Sequence, residues 1–302
     1  MPLLLARHEV EPLIDPAQAI RVLETVVREE VEGTTVHVPP FGGTGGRRNL
    51  VRIVGGGLLG MGRMGLRAGL RDSVALIWEL DTWELLAIIG YPFSHMRVGA
   101  TMAMAAGYLA RPDASCIGLL GSGQNALDIL VCMRAVRPIQ RVEMYSPTPE
   151  HRVSFAKRAA AALGIPVTDH DAPEPDQLRP GTHVSSMGVE TEVDPSVYLR
   201  ATQIVAGARG QELVTQQPRH EPRTNSFFPG GPLYFLIEEG KLTRESVIEL
   251  GDLVRGAVAP INGPTDVTLF RESRGGVGDM ALANWAYERA KELGIGVPFD
   301  FT

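Results

Sequence analysis

Residues 114–130 read ASCIGLLGSGQNALDIL and combine a short apolar run, a cluster of glycines and a helical pattern. The apolar run from Cys116 to Leu120 is typical of a buried strand. Gly121-Ser-Gly123-Gln-Asn-Ala126 then fits the pattern G-x-G-x-x-A, directly between that strand and a helix. The stretch therefore predicts a strand–turn–helix unit whose turn is built from glycine.

The spacing of the small residues predicts what this turn binds. Glycine at position 121 allows the tight turn, and glycine at 123 lets the backbone approach a pyrophosphate. The anion would lie at the helix N-terminus, where backbone N–H groups and the helix dipole favour negative charge. A plain glycine-rich turn is the alternative, but the flanking strand and helix favour a dinucleotide. The predicted cofactor-binding residues are Gly121, Ser122, Gly123, Gln124, Asn125 and Ala126.

From Cys116 onward, predicted strands and helices alternate. The strands cover 116–120, 141–145, 165–168, 183–186 and 203–206, and the helices are clearest at 124–136 and 149–163. This alternation predicts an α/β fold with a Rossmann-type, doubly wound parallel sheet. A helix at 243–256, a strand at 266–270 and a helix near 279–293 follow. The long segment 208–232 is rich in proline, glycine and polar residues, which predicts a functional loop or a lid.

The N-terminal third is predicted to contain a different arrangement of helices and strands. Asp15 and Pro16 predict the start of a helix over 17–32, and a glycine- and proline-rich loop over 36–50 leads into a strand near 50–54. Residues 74–90 alternate as a hairpin with Asp81 and Thr82 at its turn. A nearly all-apolar, buried helix over 94–110 ends at Arg111-Pro112.

The end of the second parallel strand predicts the cofactor. An acidic residue there would bind the 2′-hydroxyl of NAD, but the sequence RVEMYSPTPEHR has Ser146 at that position, and Glu143 lies in the middle of the strand. Hydroxyls and a nearby base suit a 2′-phosphate, so Ser146, Thr148 and Arg152 predict NADP, with NAD as a possible cofactor. The alternative is that these residues are ordinary polar residues of a loop.

Composition limits the class of protein. The chain has 302 residues, enough for two domains, with a formal net charge of −6 and an isoelectric point near 5.7. Nothing in this charge indicates nucleic acid or an anionic membrane as a partner. The two cysteines, Cys116 and Cys132, are predicted to face one core. So few cysteines, and the lack of an apolar run suited to a signal peptide or a membrane span, predict a cytoplasmic location. No cluster of histidine, cysteine and acidic residues has the spacing of metal ligands.

Four motifs in order carry a resemblance to a known family. They are SHMRVGATMAMAAGYLARP, LARPDASCIGLLGSGQNA, GTHVSSMG and VTLFRESRGGVGDMALANWAYERAKELGIG. Together they resemble the ornithine cyclodeaminase/mu-crystallin family from about residue 10 to 296, least well over 37–70 and 208–240. The resemblance implies a Rossmann domain over 113–279. It also implies a second α+β substrate-binding and dimerisation domain built from both chain ends, 1–112 and 280–302, and a homodimer.

The resemblance also implies substrate-binding residues. Arg97 matches the arginine that binds the substrate carboxylate, and an arginine in the first turn of a helix is otherwise a poor choice because it opposes the dipole. Arg67 stands where the family usually has a lysine, and the first lysine of this chain is Lys157. Arginine binds a carboxylate with two hydrogen bonds but does not readily donate a proton. His95 is interpreted as a polar surface residue.

Other positions match the family pattern less closely. Glu190 replaces the catalytic aspartate and is predicted to pair with the substrate nitrogen, although it is equally a candidate for a solvated loop acid. Ser273 and Asp279 are candidates near the nicotinamide, and Asp279 is alternatively the cap of the last helix. An upstream substrate arginine is also usual, and none of the nearby residues aligns convincingly: Arg47, Arg48, Arg52 and His37.

Three functions follow from these expectations. The first is an NAD(P)-dependent imine reductase or amino-acid dehydrogenase that acts on the C–N bond of a small amino, keto or imino acid. The second is a cyclodeaminase, which converts a diamino acid into a cyclic imino acid and ammonia. The third is a non-catalytic protein that binds a dinucleotide or another small ligand, because the usual proton donor is absent.

Overall fold

The computed structural model describes residues 1–45, 48–69, 72–172, 178–187, 193–213, 232–273 and 275–300. Within these residues the helices are α1 (Arg7–Val10), α2 (Pro16–Val31), α3 (Phe93–Leu109), α4 (Ala126–Val136), α5 (Pro149–Leu163), α6 (Pro195–Leu199), α7 (Arg209–Glu212), α8 (Pro232–Glu238), α9 (Leu250–Val254) and α10 (Gly276–Leu293). The strands are β1 (Leu3–Leu5), β2 (Thr35–Gly45), β3 (Arg48–Leu58), β4 (Arg63–Ala68), β5 (Val74–Glu79), β6 (Leu85–Ile89), β7 (Cys116–Leu120), β8 (Arg141–Tyr145), β9 (Val167–His170), β10 (His183–Ser186), β11 (Gln203–Ala206), β12 (Val247–Glu249), β13 (Thr268–Arg271) and β14 (Val297–Pro298).

Both ends of the chain contribute to one seven-stranded sheet, in the order β14-β1-β6-β5-β4-β3-β2. The strands β1 and β6 are parallel, and the other neighbours are antiparallel. Helices α2, α3 and α10 pack together over one face of this sheet, whose side chains Ala75, Ile77, Ala87 and Ile89 are fully buried. The predicted helix at 17–32, the hairpin at 74–90 and the buried helix at 94–110 are all present.

Glycines on the sheet allow α10 to lie close to it. A Cβ atom added to Gly276 would lie 2.3 Å from the backbone nitrogen of Gly55, and one added to Gly56 would lie 2.5 Å from Cγ2 of Val277. A Cβ on Gly65 would lie 2.6 Å from the sulfur of Met280. No real side chain tolerates such distances, so the glycines of β3 and β4 form the surface on which the helix is seated.

The predicted loop over 36–50 is wrong, because residues 36–45 and 48–50 belong to the paired antiparallel strands β2 and β3. Glycine and proline normally indicate a turn. Here β2 is the edge strand, where proline is tolerated, and the pairing register shifts between Val38 and Phe41, across Pro39 and Pro40. The glycines of β3 are explained by the close approach of α10 rather than by a turn.

The second part of the chain forms parallel sheets, as the alternation predicts. One sheet has the order β7-β8-β9 and the other β10-β13-β11-β12, and every pair is parallel. The expected single doubly wound sheet is therefore two separately hydrogen-bonded sheets within the described residues. In the described chain no helix joins β9 to β10, and α4 and α5 cover one face of the three-stranded sheet.

Several local predictions need correction. The helix predicted at 243–256 is a 3-10 turn, the strand β12 and the short helix α9, because residues 247–249 pair with β11. The last helix begins at Gly276 rather than Asp279. Strand β9 lies two residues further along the chain than predicted, and β13 begins two residues later and ends one residue later. Cys132 is buried as predicted, but Cys116 is exposed, since it lies on the uncovered face of β7.

Among the helices of the described residues, none is long and apolar enough to cross a membrane. The predicted division into 1–112 with 280–302 and 113–279 stays a prediction.

We expect Gly276→Ala to destabilise the protein, because the new Cβ would meet the backbone of Gly55 and force α10 away from β3. Overpacking of this kind costs about 1–3 kcal/mol of unfolding free energy. Gly107→Ala is the matched control: it lies in α3, its Cβ would meet nothing within 4 Å, and alanine there should add about 0.5–1 kcal/mol. Urea unfolding measures both, and an equal effect of the two substitutions would contradict the seating of α10.

Candidate functional site

The glycine turn between β7 and α4 has the geometry of an anion cradle. Gly121 has a φ of +106°, which side-chain-bearing residues rarely adopt, and its N–H donates to the carbonyl oxygen of Tyr145 at 2.8 Å. A Cβ added to Gly123 would meet nothing within 4 Å, so open space lies above the turn. The first residue of α4, Ala126, is buried, and the N-cap residue Asn125 makes no side-chain capping bond. The turn therefore fits a diphosphate.

Two hydroxyls meet at the predicted ribose end of the turn. Oγ of Ser122 lies 2.9 Å from Oγ of Ser146, which is the residue after β8. Arg152 is buried and donates to the carbonyl oxygen of Ser146 at 3.3 Å. Its Nε lies 3.2 Å from Asp169, and it also pairs with Asp171. The structure thus brings Ser122, Ser146 and Arg152 together, whereas Thr148 is exposed at the start of α5.

A buried group of charges lies where β4, α3 and α10 meet. Nε of Arg67 donates to Oδ2 of Asp279 at 2.8 Å, and Nε of Arg97 lies 3.3 Å from Oδ1 of the same carboxylate. Nη1 of Arg97 also pairs with Oε1 of Glu272 at 2.5 Å. All four side chains are at most 7% exposed. We call Arg52, Arg67, Arg97, Glu272 and Asp279 the arginine cluster.

Arg52 lies close enough to the other members of the arginine cluster for their charges to shift its pKa. Burial lowers the pKa of Arg52 to about 10, and the charges of Arg67 and Arg97 act in the same direction against Asp279 and Glu272. Although burial opposes it, the two carboxylates raise the pKa of Arg97. Among the described residues, three guanidinium groups and two carboxylates therefore influence one another. Guanidinium groups placed close together favour an anionic ligand such as a carboxylate.

Among the upstream basic residues that the sequence left open, Arg52 is the one that the described structure places beside the cluster. It lies two residues before Val54, which pairs with Arg67, and so points to the same face of the sheet. Arg47 lies outside the described residues, as does the side chain of Arg48. His37 instead pairs with Glu30, at 2.8 Å between Nε2 and Oε1.

Two further predictions are corrected by the position of α10 and α3. Asp279 is not the cap of α10, because Gly275 is the N-cap and Asp279 lies within the first turn with its side chain in the cluster. Arg97 is not in the first turn of α3, which begins at Phe93, but one turn further along. A Cβ at Gly278 would lie 3.0 Å from Cγ of Arg97, so glycine there makes room for the arginine.

A second buried ion pair was missed by the sequence reasoning. Nε of Arg271 lies 3.2 Å from both carboxylate oxygens of Glu212, and its Nη1 donates to Oγ of Ser186 at 3.2 Å. Burial raises the pKa of Glu212 to about 7, against the charge of Arg271. Ser186 and Arg271 are the last residues of β10 and β13, and Glu212 lies in α7, which follows β11. The carboxyl ends of parallel strands are the edge at which such sheets bind ligands. Arg271 and Ser186 lie within motifs that resemble the family, but Glu212 lies in none of them, so no pattern in the sequence indicated the pairing.

The side chain of Ser273 forms hydrogen bonds with the backbone of Ala208. It accepts from the N–H of Ala208 at 3.1 Å and lies 3.3 Å from the carbonyl oxygen of the same residue. Glu190 lies outside the described residues. No group of three or more potential metal ligands is found in the described part of the chain.

The parallel sheets and the open glycine turn define a protein of the Rossmann class. Residues 73–176 match the model of the ornithine cyclodeaminase/mu-crystallin family, which confirms the resemblance seen in the sequence motifs.

Similar proteins carry related names. The chain is 25% identical to a Delta(1)-pyrroline-2-carboxylate reductase of Bacillus cereus, over 76% of this chain and 74% of the relative. The structure of the Thermococcus litoralis Delta(1)-pyrroline-2-carboxylate reductase with NADH and L-proline matches with a TM-score of 0.84 at 23% identity, over 98% of this chain and all of that one. An archaeal alanine dehydrogenase dimer with bound NAD matches at 0.83 and 22% identity, over 100% and 99% of the two chains. These names agree with the predicted kind of enzyme.

We expect Asp279→Asn to destabilise the protein strongly, because it leaves Arg67 and Arg97 buried with one carboxylate fewer. Breaking a buried ion pair typically costs about 3–5 kcal/mol of unfolding free energy. Asp113→Asn is the control, since Asp113 pairs with Arg111 at an exposed site and should change the Tm little. Equal melting temperatures for Asp279→Asn and the unmodified protein would contradict the described role of Asp279.

Proposed function

We propose that this chain is an NAD(P)-dependent oxidoreductase that acts on the C–N bond of a small amino or imino acid, working as an imine reductase or amino-acid dehydrogenase. The observation that carries the proposal is the arginine cluster, a buried site with three guanidinium groups and two carboxylates. The open glycine turn and the names of the similar reductases and dehydrogenases support the same reading.

The arginine cluster supplies what an amino or imino acid requires. Arg97, Arg67 and Arg52 would hold the substrate carboxylate, because guanidinium groups bind carboxylates with paired hydrogen bonds. Asp279 and Glu272 orient Arg67 and Arg97 and would favour a protonated nitrogen beside them. The burial of these groups keeps water away and strengthens each electrostatic contact.

Arg67 stands where the family usually has a lysine, and this affects how the substrate nitrogen can obtain its proton. A guanidinium group does not readily release a proton, so we infer that the substrate binds as an already protonated imine. Glu190 is our proposed partner for the substrate nitrogen. Bound NAD(P)H supplies the hydride for reduction of the C=N bond.

Residues of the glycine turn would hold the cofactor. The backbone of Gly121, Ser122 and Gly123 would face the diphosphate, with Gln124, Asn125 and Ala126 opening α4 behind it. Ser273, at the carboxyl end of β13, is proposed to lie near the nicotinamide.

The first test is reduction of imines formed from keto acids and amines, followed by the oxidation of NADPH or NADH. We expect turnover, and Arg97→Lys and Arg52→Lys should lower kcat/KM about ten- to a hundredfold, because lysine lacks the planar two-point fork. Nucleotide affinity should stay unchanged. Arg63→Lys is the control, since Arg63 lies on β4, the strand of Arg67, but pairs with Glu79 and Glu288 outside the cluster.

Other outcomes would overturn the proposal. Release of ammonia from a diamino acid in the presence of NAD+, without reductase activity, would identify a cyclodeaminase. Nucleotide binding without turnover of any imine or amino acid would identify a binding protein.

For the cofactor, we propose a preference for NADP over NAD, which rests on Ser146, Thr148 and Arg152. Ser146 offers a hydroxyl where an acid would repel a 2′-phosphate. Arg152 already pairs with Asp171, but the side chain of Asp171 is 98% exposed, and ion pairs with such exposed partners are weak. A phosphate would therefore displace Asp171 at little cost.

We expect Ser146→Asp to weaken NADPH binding by about tenfold or more and to leave NADH binding equal or tighter, since the new carboxylate repels phosphate and accepts from ribose hydroxyls. Fluorescence titration of both nucleotides measures the change. Ser154→Asp adds the same charge on the exposed surface of α5 and should have little effect. A clear preference of the unmodified protein for NADH would contradict the NADP proposal.

We further propose a homodimer, joined through the face of the seven-stranded sheet opposite α2, α3 and α10. Leu4, Ile88, Leu76 and Leu66 are register partners in turn across four strands and form an apolar row on that face. Val74, on the same face of β5, is 41% exposed. A second copy of the chain would cover this surface, and the similar alanine dehydrogenase is described as a dimer.

A cytoplasmic location stays a prediction.

Light scattering at micromolar concentration should give the mass of a dimer. Val74→Glu should convert the dimer to a monomer, because it would bury a charge between the two sheets. Val153→Glu is the matched control on the surface of α5, where Val153 is similarly exposed at 39%. A monomeric unmodified protein would refute the assembly.

A further inference from the structure

The end of β13 carries one buried ion pair towards each half of the molecule. Arg271 is the last residue of the strand, and its Nε lies 3.2 Å from each carboxylate oxygen of Glu212 in α7. The next residue, Glu272, extends to the other side, because side chains alternate along an extended chain. There Oε1 of Glu272 lies 2.5 Å from Nη1 of Arg97, in the arginine cluster. The end of β13 therefore connects α7 to the proposed carboxylate site.

Further contacts fix this end of β13 against β10 and α7. Nη1 of Arg271 donates to Oγ of Ser186 at 3.2 Å, and the backbone N–H of Glu272 donates to the carbonyl oxygen of Ser186 at 2.8 Å. Oγ of Ser273 contacts the backbone of Ala208, the residue before α7, at 3.1 and 3.3 Å. The guanidinium group of Arg271 thus joins three elements, β10, β13 and α7, in a buried position.

Stability alone does not explain a buried pair of this kind. Removing two charges from water costs about as much free energy as their attraction returns, and apolar residues of similar size often serve stability equally well. A planar guanidinium group held by several contacts does, however, have a fixed orientation. Because the peptide unit between Arg271 and Glu272 is planar and stiff, a displacement of Arg271 would move Glu272 and, through their ion pair, Arg97.

We propose that Arg271 is a positioning residue for the substrate carboxylate: through Glu212 and Ser186 it fixes the end of β13, so that Glu272 holds Arg97 in the orientation that binds the ligand. This inference rests on the proposed function, because it assumes that Arg97 binds a carboxylate. Arg271 acts through Glu272 in this role and does not itself contact the substrate.

The test compares the Tm of variants with their KM for the imine. Arg271→Met should lower the Tm, because Glu212 stays buried and loses this partner, and should raise the KM for the imine about three- to tenfold. The Kd for the nucleotide should change less than about twofold, since the glycine turn belongs to the other parallel sheet. Arg271→Met combined with Glu212→Leu removes both charges and should restore the Tm. The KM of this double variant should stay raised, because the contacts of Arg271 with α7 and β10 are still missing.

Two further measurements separate positioning from a loss of stability. Ile204→Ala, in the buried core of the same sheet, should lower the Tm and leave the KM within about twofold of the unmodified protein. In the double variant, the ratio of kcat/KM for an imine acid to that for its carboxamide should fall about three- to tenfold, because Arg97 distinguishes the two.

A normal KM in the double variant would overturn the inference, and so would an equal loss for the imine acid and the carboxamide. Both results would leave the proposed function standing, since the unmodified protein would still reduce the imine. If the unmodified protein turns over no imine or amino acid, the proposed function fails, and this inference fails with it.

Discussion

The carboxylate of Asp279 is the contact on which the rest of this structure depends. It receives hydrogen bonds from both Arg67 and Arg97, and all three side chains are buried. A buried guanidinium group is tolerable only when it is paired, so β4 and α3 can meet in the interior only with the first turn of α10 between them. That requirement explains the glycines at 276 and 278, since larger residues would hold the helix away from the sheet or displace Arg97.

The same constraint gives the site its charge. Glu272 and Asp279 pair with Arg97 and Arg67, and burial together with the charges of Arg67 and Arg97 lowers the pKa of the nearby Arg52. The proximity of three arginines is unfavourable by itself, and a bound carboxylate would stabilise the group.

Helix α3 connects the two halves of the proposed site. One side of it meets α2 and α10, where Arg97 lies, and another side meets α4, the helix that follows the glycine turn. A Cβ at Gly99 would lie 2.7 Å from the backbone carbonyl of Asp128, and this close approach leaves little freedom for one helix to move without the other. Substrate and cofactor would therefore be held by one rigid element.

The sequence by itself determined the parts that depend on near neighbours: the glycine turn, the parallel strand–helix alternation, α2 with its Asp15 cap, and the β5–β6 hairpin. It also identified Arg97, Arg67 and Asp279 as candidates, but not as partners. Only the tertiary structure decided that β2 and β3 are strands, that Arg52 joins the cluster and that Arg271 pairs with Glu212. The physical reason is distance along the chain, because Arg67 and Asp279 are 212 residues apart. They meet through the register of the strands and the packing of α10 on the sheet, which no local pattern encodes.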